Sequence, residues 1–446
     1  MKILIKCFTY LFFIVISNAK IFATTLKEAL QSAYKNSETI YIKMAQKDIS
    51  SIDRDKAIAN FLPTVDVNYA WMRTNNYNFK LKENMAPLVQ QIQQAVSNQG
   101  DALNNSSTSG KKVGSTALAI TANVSLSYYK TVPNLIAMQK NVTANSYEYN
   151  EFLENFGLLF IQKYMDIIYY SKSKEVFQQM TENYSKKLQR VSIMNKYGTA
   201  KRDKVVLAEA QLYENKANEI TTQSALDKAK MDYKIMTGRE PHDLQIPNLT
   251  NIELPAKNKN DYVALVLASN STLKKVEKQL EVQKLLITAS SMNVLPDIFA
   301  TYSYNRSNIP HWYSYNYDYF GVGLSWSFNG RDKPITQVRR SYKNYRIADL
   351  NKTLTAKQIE QDAVYSWEQY FAMVELVKAT EKALKASTDS LKEVKVSVST
   401  GTATFIDEMD VETQYLNANL NYLNAQKSLI LAYYKLISLT GVGYLQ

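Results

Sequence analysis

The chain is poor in the residues that organise catalytic and metal centres. Its 446 residues include one cysteine, Cys7, and two histidines, His242 and His311. One thiol excludes a disulfide framework, and two isolated imidazoles leave no Cys/His cluster for zinc or iron. No GxxxxGK[ST] phosphate loop and no GxGxxG dinucleotide turn is present. No metal, no cofactor and no enzymatic activity are therefore expected. Glycine (12) and proline (9) are scarce, well below the usual ~7% and ~5%, which excludes collagen-like and most low-complexity chains. Long apolar runs are missing too. With a mean hydropathy of −0.31, the chain is not a bundle of membrane-spanning helices, each of which needs ~20 apolar residues. The net charge is +12, but Lys and Arg are mixed with Glu and Asp instead of gathered into a phosphate-tracking block. A solvated surface is expected, and no nucleic-acid partner.

The N-terminus reads as an export signal. Lys2 and Lys6 precede an apolar run, Cys7 to Ile16, that ends in small residues. Basic, apolar and small in that order is the pattern of a secretory signal peptide over 1–23, cut after Ala19 or Ala23. The remaining chain has no cysteine, which suits an oxidising periplasm.

One unit is written twice. Residues 198–238 begin GTAKRDKVVLAEAQL and end MTG; residues 401–441 begin GTATFIDEMDVETQY and end LTG. Without a gap, 11 of the 41 positions coincide, among them Gly198/Gly401, Glu209/Glu412, Gln223/Gln426 and Gly238/Gly441. Upstream, FLP at 61–63 answers VLP at 294–296. The halves are 24–240 and 261–446, joined by a Pro-bearing linker, 241–260. The first is about 30 residues longer, within the stretch 73–115, whose tail SNQGDALNNSSTSG reads as a surface loop.

Each half has the same expected order of elements. A helix comes first, 26–60 after Thr24–Thr25 and 262–294 after Asp261. A β-hairpin follows, lying within 64–130 in the first half and over 297–328 in the second. A long helical hairpin closes each half, 134–238 and 335–441, turning at the Gly-Thr-Ala motif and stopping at the Thr-Gly pair. The outgoing arm has about 63 residues, roughly 95 Å at 1.5 Å per residue, too long to curl around a globular core. Leu416, Leu423, Ile430 and Ile437 recur at sevens, with Ala418, Ala425, Ala432 and Leu439 two places later. Helices so patterned pack as coiled coils do.

The strands alternate. In 64–72, Val65, Val67, Tyr69 and Trp71 share a face; in 117–128, Leu118, Ile120, Val124 and Leu126 do so. In 297–306 the apolar set includes Ile298 and Tyr302, and in 319–328 it includes Val322, Leu324 and Trp326. Ten-residue segments of period two with aromatics near their ends are the pattern of transmembrane β-strands, apolar towards lipid and polar towards a lumen. A half-buried soluble sheet has the same alternation. Four strands cannot close a barrel, and open edges do not persist in lipid, so a membrane sheet requires several chains.

These features together resemble the TolC family of outer membrane efflux proteins. The resemblance is carried by LKEALQSAYKNS at 26–37, by FLP before the first strand and by the duplicated Gly-Thr-Ala…Thr-Gly hairpins; it is strongest in GTATFIDEMDVETQYLNANLNYLNAQKSLILAYYKLISLTG. It implies a mainly α fold with a transmembrane β part. Three chains would form a 12-stranded barrel in the outer membrane, continued by a periplasmic α-helical barrel. It also implies an exit duct for a tripartite efflux or type I secretion system, with a periplasmic adaptor and an inner-membrane efflux pump or ABC secretion transporter as partners. Gly198, Thr199, Ala200 and Gly401, Thr402, Ala403 match the adaptor-contacting hairpin tips. Asp407 and Asp410 match the acidic rings of the periplasmic entrance. One departure is clear: where the family ties its closed mouth with Tyr, Arg and Asp, this chain has Val398, Ala403 and Lys204, with Asp203 one place early. The competing expectation is a structural or adhesive periplasmic coiled coil with a soluble sheet.

Overall fold

The computed structural model describes residues 25–74, 113–247, 254–309, 313–326, 333–441 and 443–444. The segment 1–23, expected to be a signal peptide, and most of the stretch 73–115 lie outside them. In chain order the elements are α1 (Leu26–Asn36), α2 (Glu38–Ala59), β1 (Thr64–Thr74), β2 (Val113–Ser125), α3 (Tyr128–Lys196) and α4 (Arg202–Thr237). After these come α5 (Lys259–Ser269), α6 (Ser271–Met292), β3 (Asp297–Ile309), β4 (Tyr313–Ser325), α7 (Lys333–Thr400) and α8 (Phe405–Leu439). They fall into two compact units, each drawing on both halves of the sequence.

One unit spans Ile52–Gln139 and Val282–Tyr345. Its centre is a four-stranded sheet in the order β1-β2-β3-β4, every neighbouring pair antiparallel. The register puts Val65, Ala122, Tyr302 and Phe320 side by side, flanked by Val67–Ile120–Tyr304 and by Val124–Ala300–Val322. The opposite face carries Asp66–Thr121–Ser303–Tyr319 and Asn68–Ala119–Asn305–Tyr317. β1 and β4 are the edges, and the sheet does not close.

The other unit is helical and takes its described residues from Met1–Ser51, Lys140–Glu281 and Arg346–Gln446. One core joins Leu30 and Ala33 of α1, Phe160 and Tyr164 of α3, Tyr233 of α4 and Ile430 of α8. A second joins Tyr262 and Val266 of α5, Ile359, Ala363 and Trp367 of α7, and Leu436 of α8. A third joins Phe177, Met180 and Tyr184 of α3, Leu212 of α4 and Leu416 of α8. The heptad positions on α8 are all buried or half-buried. α3 and α7, of 69 and 68 residues, are about 100 Å long.

Several boundaries differ from expectation. The helix expected over 26–60 is two, broken at Ser37, and that expected over 262–294 is two, broken at Asn270. Both break residues leave the helical ψ range, at 122° and 127°. Asn270 supplies the reason. Its Oδ1 accepts the N–H groups of Thr272 (3.0 Å) and Leu273 (3.2 Å), and its Nδ2 donates to the Leu439 carbonyl at 3.0 Å. A side chain that satisfies orphan backbone groups lets a helix end and restart. α5 also begins at Lys259, because Asn258 caps it by accepting the Asp261 N–H at 2.8 Å. α3 starts at Tyr128, with Pro133 inside its first turns, where the missing N–H removes one early bond. Consequently β2 ends at Ser125, and Leu126 follows it, its N–H donating to the Ile298 carbonyl at 2.8 Å. β3 runs on to Ile309 and β4 begins at Tyr313, six residues before the expected start, so most of the segment between the two expected strands is itself strand.

Candidate functional site

The two helical hairpins turn in the same way. Gly198 and Gly401 have φ of 75° and 81°, the left-handed region that an L side chain enters only at a cost. A Cβ at either would meet nothing within 4 Å, so the backbone conformation alone requires glycine. At the first tip the N–H groups of Thr199 and Ala200 both reach the Met194 carbonyl (2.9 and 3.3 Å); at the second, those of Thr402 and Ala403 reach Ser397 (2.9 and 3.2 Å). The Thr199 and Thr402 hydroxyls donate to the same carbonyls. Tyr197, Ile193, Val206, Val396 and Ile406 stand exposed around these turns, Tyr197 at 81%.

Asp407 and Asp410 are both exposed on α8, and Asp407 has local work. Thr404 donates its N–H and its hydroxyl to Asp407 Oδ2, each at 2.7 Å, while Thr404 Oγ1 accepts the Asp407 N–H at 3.3 Å. This capping box opens α8. The hydrogen bonds from Thr404 hold the Asp407 carboxyl below its ordinary range.

Sequence reasoning missed the buried charges beside it. Lys187 Nζ lies 2.5 Å from Glu412 Oε2 and 3.2 Å from Glu408 Oε1, and 5.6 Å from the centre of the Phe405 ring. All three ionic side chains are buried, Glu412 at 1% exposure. Burial raises the Glu412 pKa despite the hydrogen bond from Lys187, which pulls it down. One signal was legible: Glu408, Glu412 and Leu416 stand four apart on the core side of α8. The repeat pointed elsewhere, because Glu209, which aligns with Glu412, is exposed.

Where gate bonds would sit, the Asp203 carboxylate accepts the Lys204 N–H at 2.9 Å, and the Val398 carbonyl accepts the Gly401 N–H at 3.3 Å. These contacts are local to each turn.

On the sheet, Val65, Val67, Tyr69, Trp71, Leu118, Ile120, Val124, Ile298, Tyr302, Val322 and Leu324 all occupy one face. Leu126 and Trp326 lie just past their strands, and the Trp326 Nε1 donates to the Val294 carbonyl at 3.1 Å. On the other face Thr121 Oγ1 and Ser303 Oγ are 3.0 Å apart, and Asn305 Nδ2 donates to Ser303 Oγ at 2.9 Å. Phe299 lies across Gly323 there, so close that a Cβ on the glycine would stand 2.4 Å from the ring. Among the described residues, no helix is long and apolar enough to cross a membrane.

No family model and no curated protein matches the chain. Solved structures do. The Campylobacter jejuni CmeC outer membrane channel superposes with a TM-score of 0.77 at 13% identity, over 93% of this chain and 85% of its own. The open state of the Neisseria gonorrhoeae MtrE outer membrane channel gives 0.75 at 16%, over 96% and 94%. The outer membrane protein VceC of Vibrio cholerae gives 0.70 at 14%, over 94% and 96%. The fold is TolC-like. The Gly-Thr-Ala turns are the ends of its helical hairpins, and β1–β4 form its four-stranded sheet.

Proposed function

We propose that the protein is an outer membrane channel, the passive exit duct of a tripartite efflux or type I secretion system. The observation that carries this reading is the sheet: four strands, one apolar face, one polar face and two unpaired edges. In lipid each unpaired N–H or C=O costs several kcal/mol, so β4 of one copy must pair with β1 of the next. Three copies give a closed barrel of 12 strands. The apolar face from Val65 to Leu324, extended by Leu126 and Trp326, then meets lipid, and the polar face lines a lumen. The Gly198–Ala200 and Gly401–Ala403 turns, with apolar side chains exposed around them, suit docking by a periplasmic adaptor, which joins the duct to an inner-membrane pump or ABC transporter. Asp407 and Asp410, tripled by symmetry, ring the periplasmic entrance and favour cations.

The test is physical. The protein is expected in the outer membrane fraction, soluble only with detergent, trimeric in it and conductive in planar bilayers. A water-soluble monomer without conductance would favour the structural or adhesive coiled coil and overturn the duct.

A further inference from the structure

The polar face of the sheet carries an aromatic strip. Along β4 it presents Tyr319, Tyr317 and Tyr315, and it continues through Phe299, which lies over Gly323. The tyrosine rings are close to parallel: Tyr315 and Tyr317 have centroids 5.7 Å apart at 21°, Tyr317 and Tyr319 are 6.3 Å apart at 19°. The three are about half exposed, at 42–50%. From Gly323 to Tyr315 the strip runs about 27 Å at 3.4 Å per residue.

Its neighbours are hydroxyls and amides. Ser303, Asn305 and Ser307 stand across from Tyr319, Tyr317 and Tyr315, with Thr301 opposite Gly321 and Thr121 beyond Ser303. Charge is nearly absent. On this face, apart from the tyrosine phenols, the ionisable side chains among the described residues are Asp66 on the edge strand β1 and Asp297 on β3. Asp297 sits at the far end of the strip, paired with Lys130 at 2.7 Å.

We infer that this strip is a binding track for an uncharged saccharide chain. A sugar ring has an apolar C–H face that packs on an aromatic ring, and a rim of hydroxyls that both donate and accept. Tyrosine rings flanked by serine, threonine and asparagine offer both in alternation. On β3, opposite Tyr315, Tyr317 and Tyr319, a charged ligand finds no counter-charge. A flat aromatic ligand would match the rings but would cover the flanking hydroxyls and amides without replacing their water, which is unfavourable. The half-exposed rings imply weak, repeated contacts along the strand. The inference rests on the reading that this face lines a water-filled lumen.

The test uses the full-length trimer in planar bilayers with maltoheptaose, and saturation-transfer NMR on the same protein in detergent. Maltoheptaose should interrupt the current transiently and saturably. Tyr317→Ala and Tyr319→Ala should each shorten the interruptions about fivefold, the loss of roughly 1 kcal/mol of ring contact. Phe320→Ala, on the opposite face, should not change them. A conducting pore that maltoheptaose leaves undisturbed, or block and saturation transfer that persist in the Tyr317→Ala/Tyr319→Ala double variant, would overturn the track while leaving the duct intact. Block by caffeine in place of the sugar would also overturn it, in favour of a planar aromatic occupant. If no pore forms, the duct reading fails. Saturation transfer then decides the track alone: sugar signals lost in the double variant support it, and no sugar signal with the unaltered protein overturns it.

Discussion

Lys187 of α3 and Glu412 of α8 are 225 residues apart in sequence and form a buried ion pair at 2.5 Å. The pair ties the first helical hairpin to the second, and with Glu408 it leaves one cation facing two carboxylates. Removing the lysine alone strands both acids. Lys187→Met is expected to destabilise the helical unit by about 3–5 kcal/mol, the usual cost of breaking a buried pair. Lys187→Met combined with Glu412→Leu should recover much of that. Circular-dichroism melts of these two variants, of Glu412→Leu alone and of the parent form the cycle, and purely additive losses would show that the pair is not coupled.

Glu154 gives a pH dependence. Burial lifts its pKa from 4.5 to about 7, against the hydrogen bond from Ser271 and with help from Glu151; Ser271 Oγ donates to its Oε1 at 2.6 Å. The folded-state value is the higher one, so between about pH 4.5 and 7 the native chain holds a proton that the unfolded chain has released. Its contribution is fully present below the unfolded pKa and is lost as pH rises through the folded one. Denaturant melts should therefore show stability falling across this window, less steeply in Glu154→Gln. The same slope in both proteins would assign it to other groups.

On the sheet, Val124→Lys and Leu324→Lys should each cost roughly 2–4 kcal/mol if they sit near the bilayer midplane. Ser125→Lys, on the opposite face, should be mild. The yield of heat-stable trimer compares them. Equal losses from both kinds of substitution would mean that the faces are wrongly assigned.

Asp407→Asn combined with Asp410→Asn should weaken block of the pore by a polyvalent cation in bilayer recordings. Because Asp407 also closes the capping box with Thr404, Asp410→Asn alone is the cleaner probe. It should lower the blocking affinity without changing the melting temperature. Block as strong as in the parent would remove the ring.

At the hairpin turns, Gly401→Ala puts a side chain at φ 81°, with a cost of roughly 1–2 kcal/mol. With open space around it, no steric clash adds to that. Thermal melts should show a small loss, together with weaker capture of the adaptor. An unchanged melt would mean that the turn relaxes to another conformation.

Much of this architecture is legible in the residues themselves, because it depends on period and punctuation. Alternation over ten residues sorts Val65, Ile120, Tyr302 and Val322 onto one face before any pairing is known, since successive side chains of a strand point oppositely. Heptads from Leu416 to Ile437 and the near-absence of Gly and Pro require long packed helices. Gly198 and Gly401 mark reversals because other residues resist the left-handed region. What the tertiary structure decided depends on partners distant in sequence. Asn270 breaks its helix because the Leu439 carbonyl lies within its reach. Glu412 is buried and Glu209 exposed, although the repeat aligns them, because Lys187 faces only the former. Tyr315, Tyr317 and Tyr319 become a strip only when the strand extends back to Tyr313 and sets them across from Ser307, Asn305 and Ser303. Periodicity is a local property that one chain carries along its length; charge pairing and helix breaks arise where segments hundreds of residues apart come into contact.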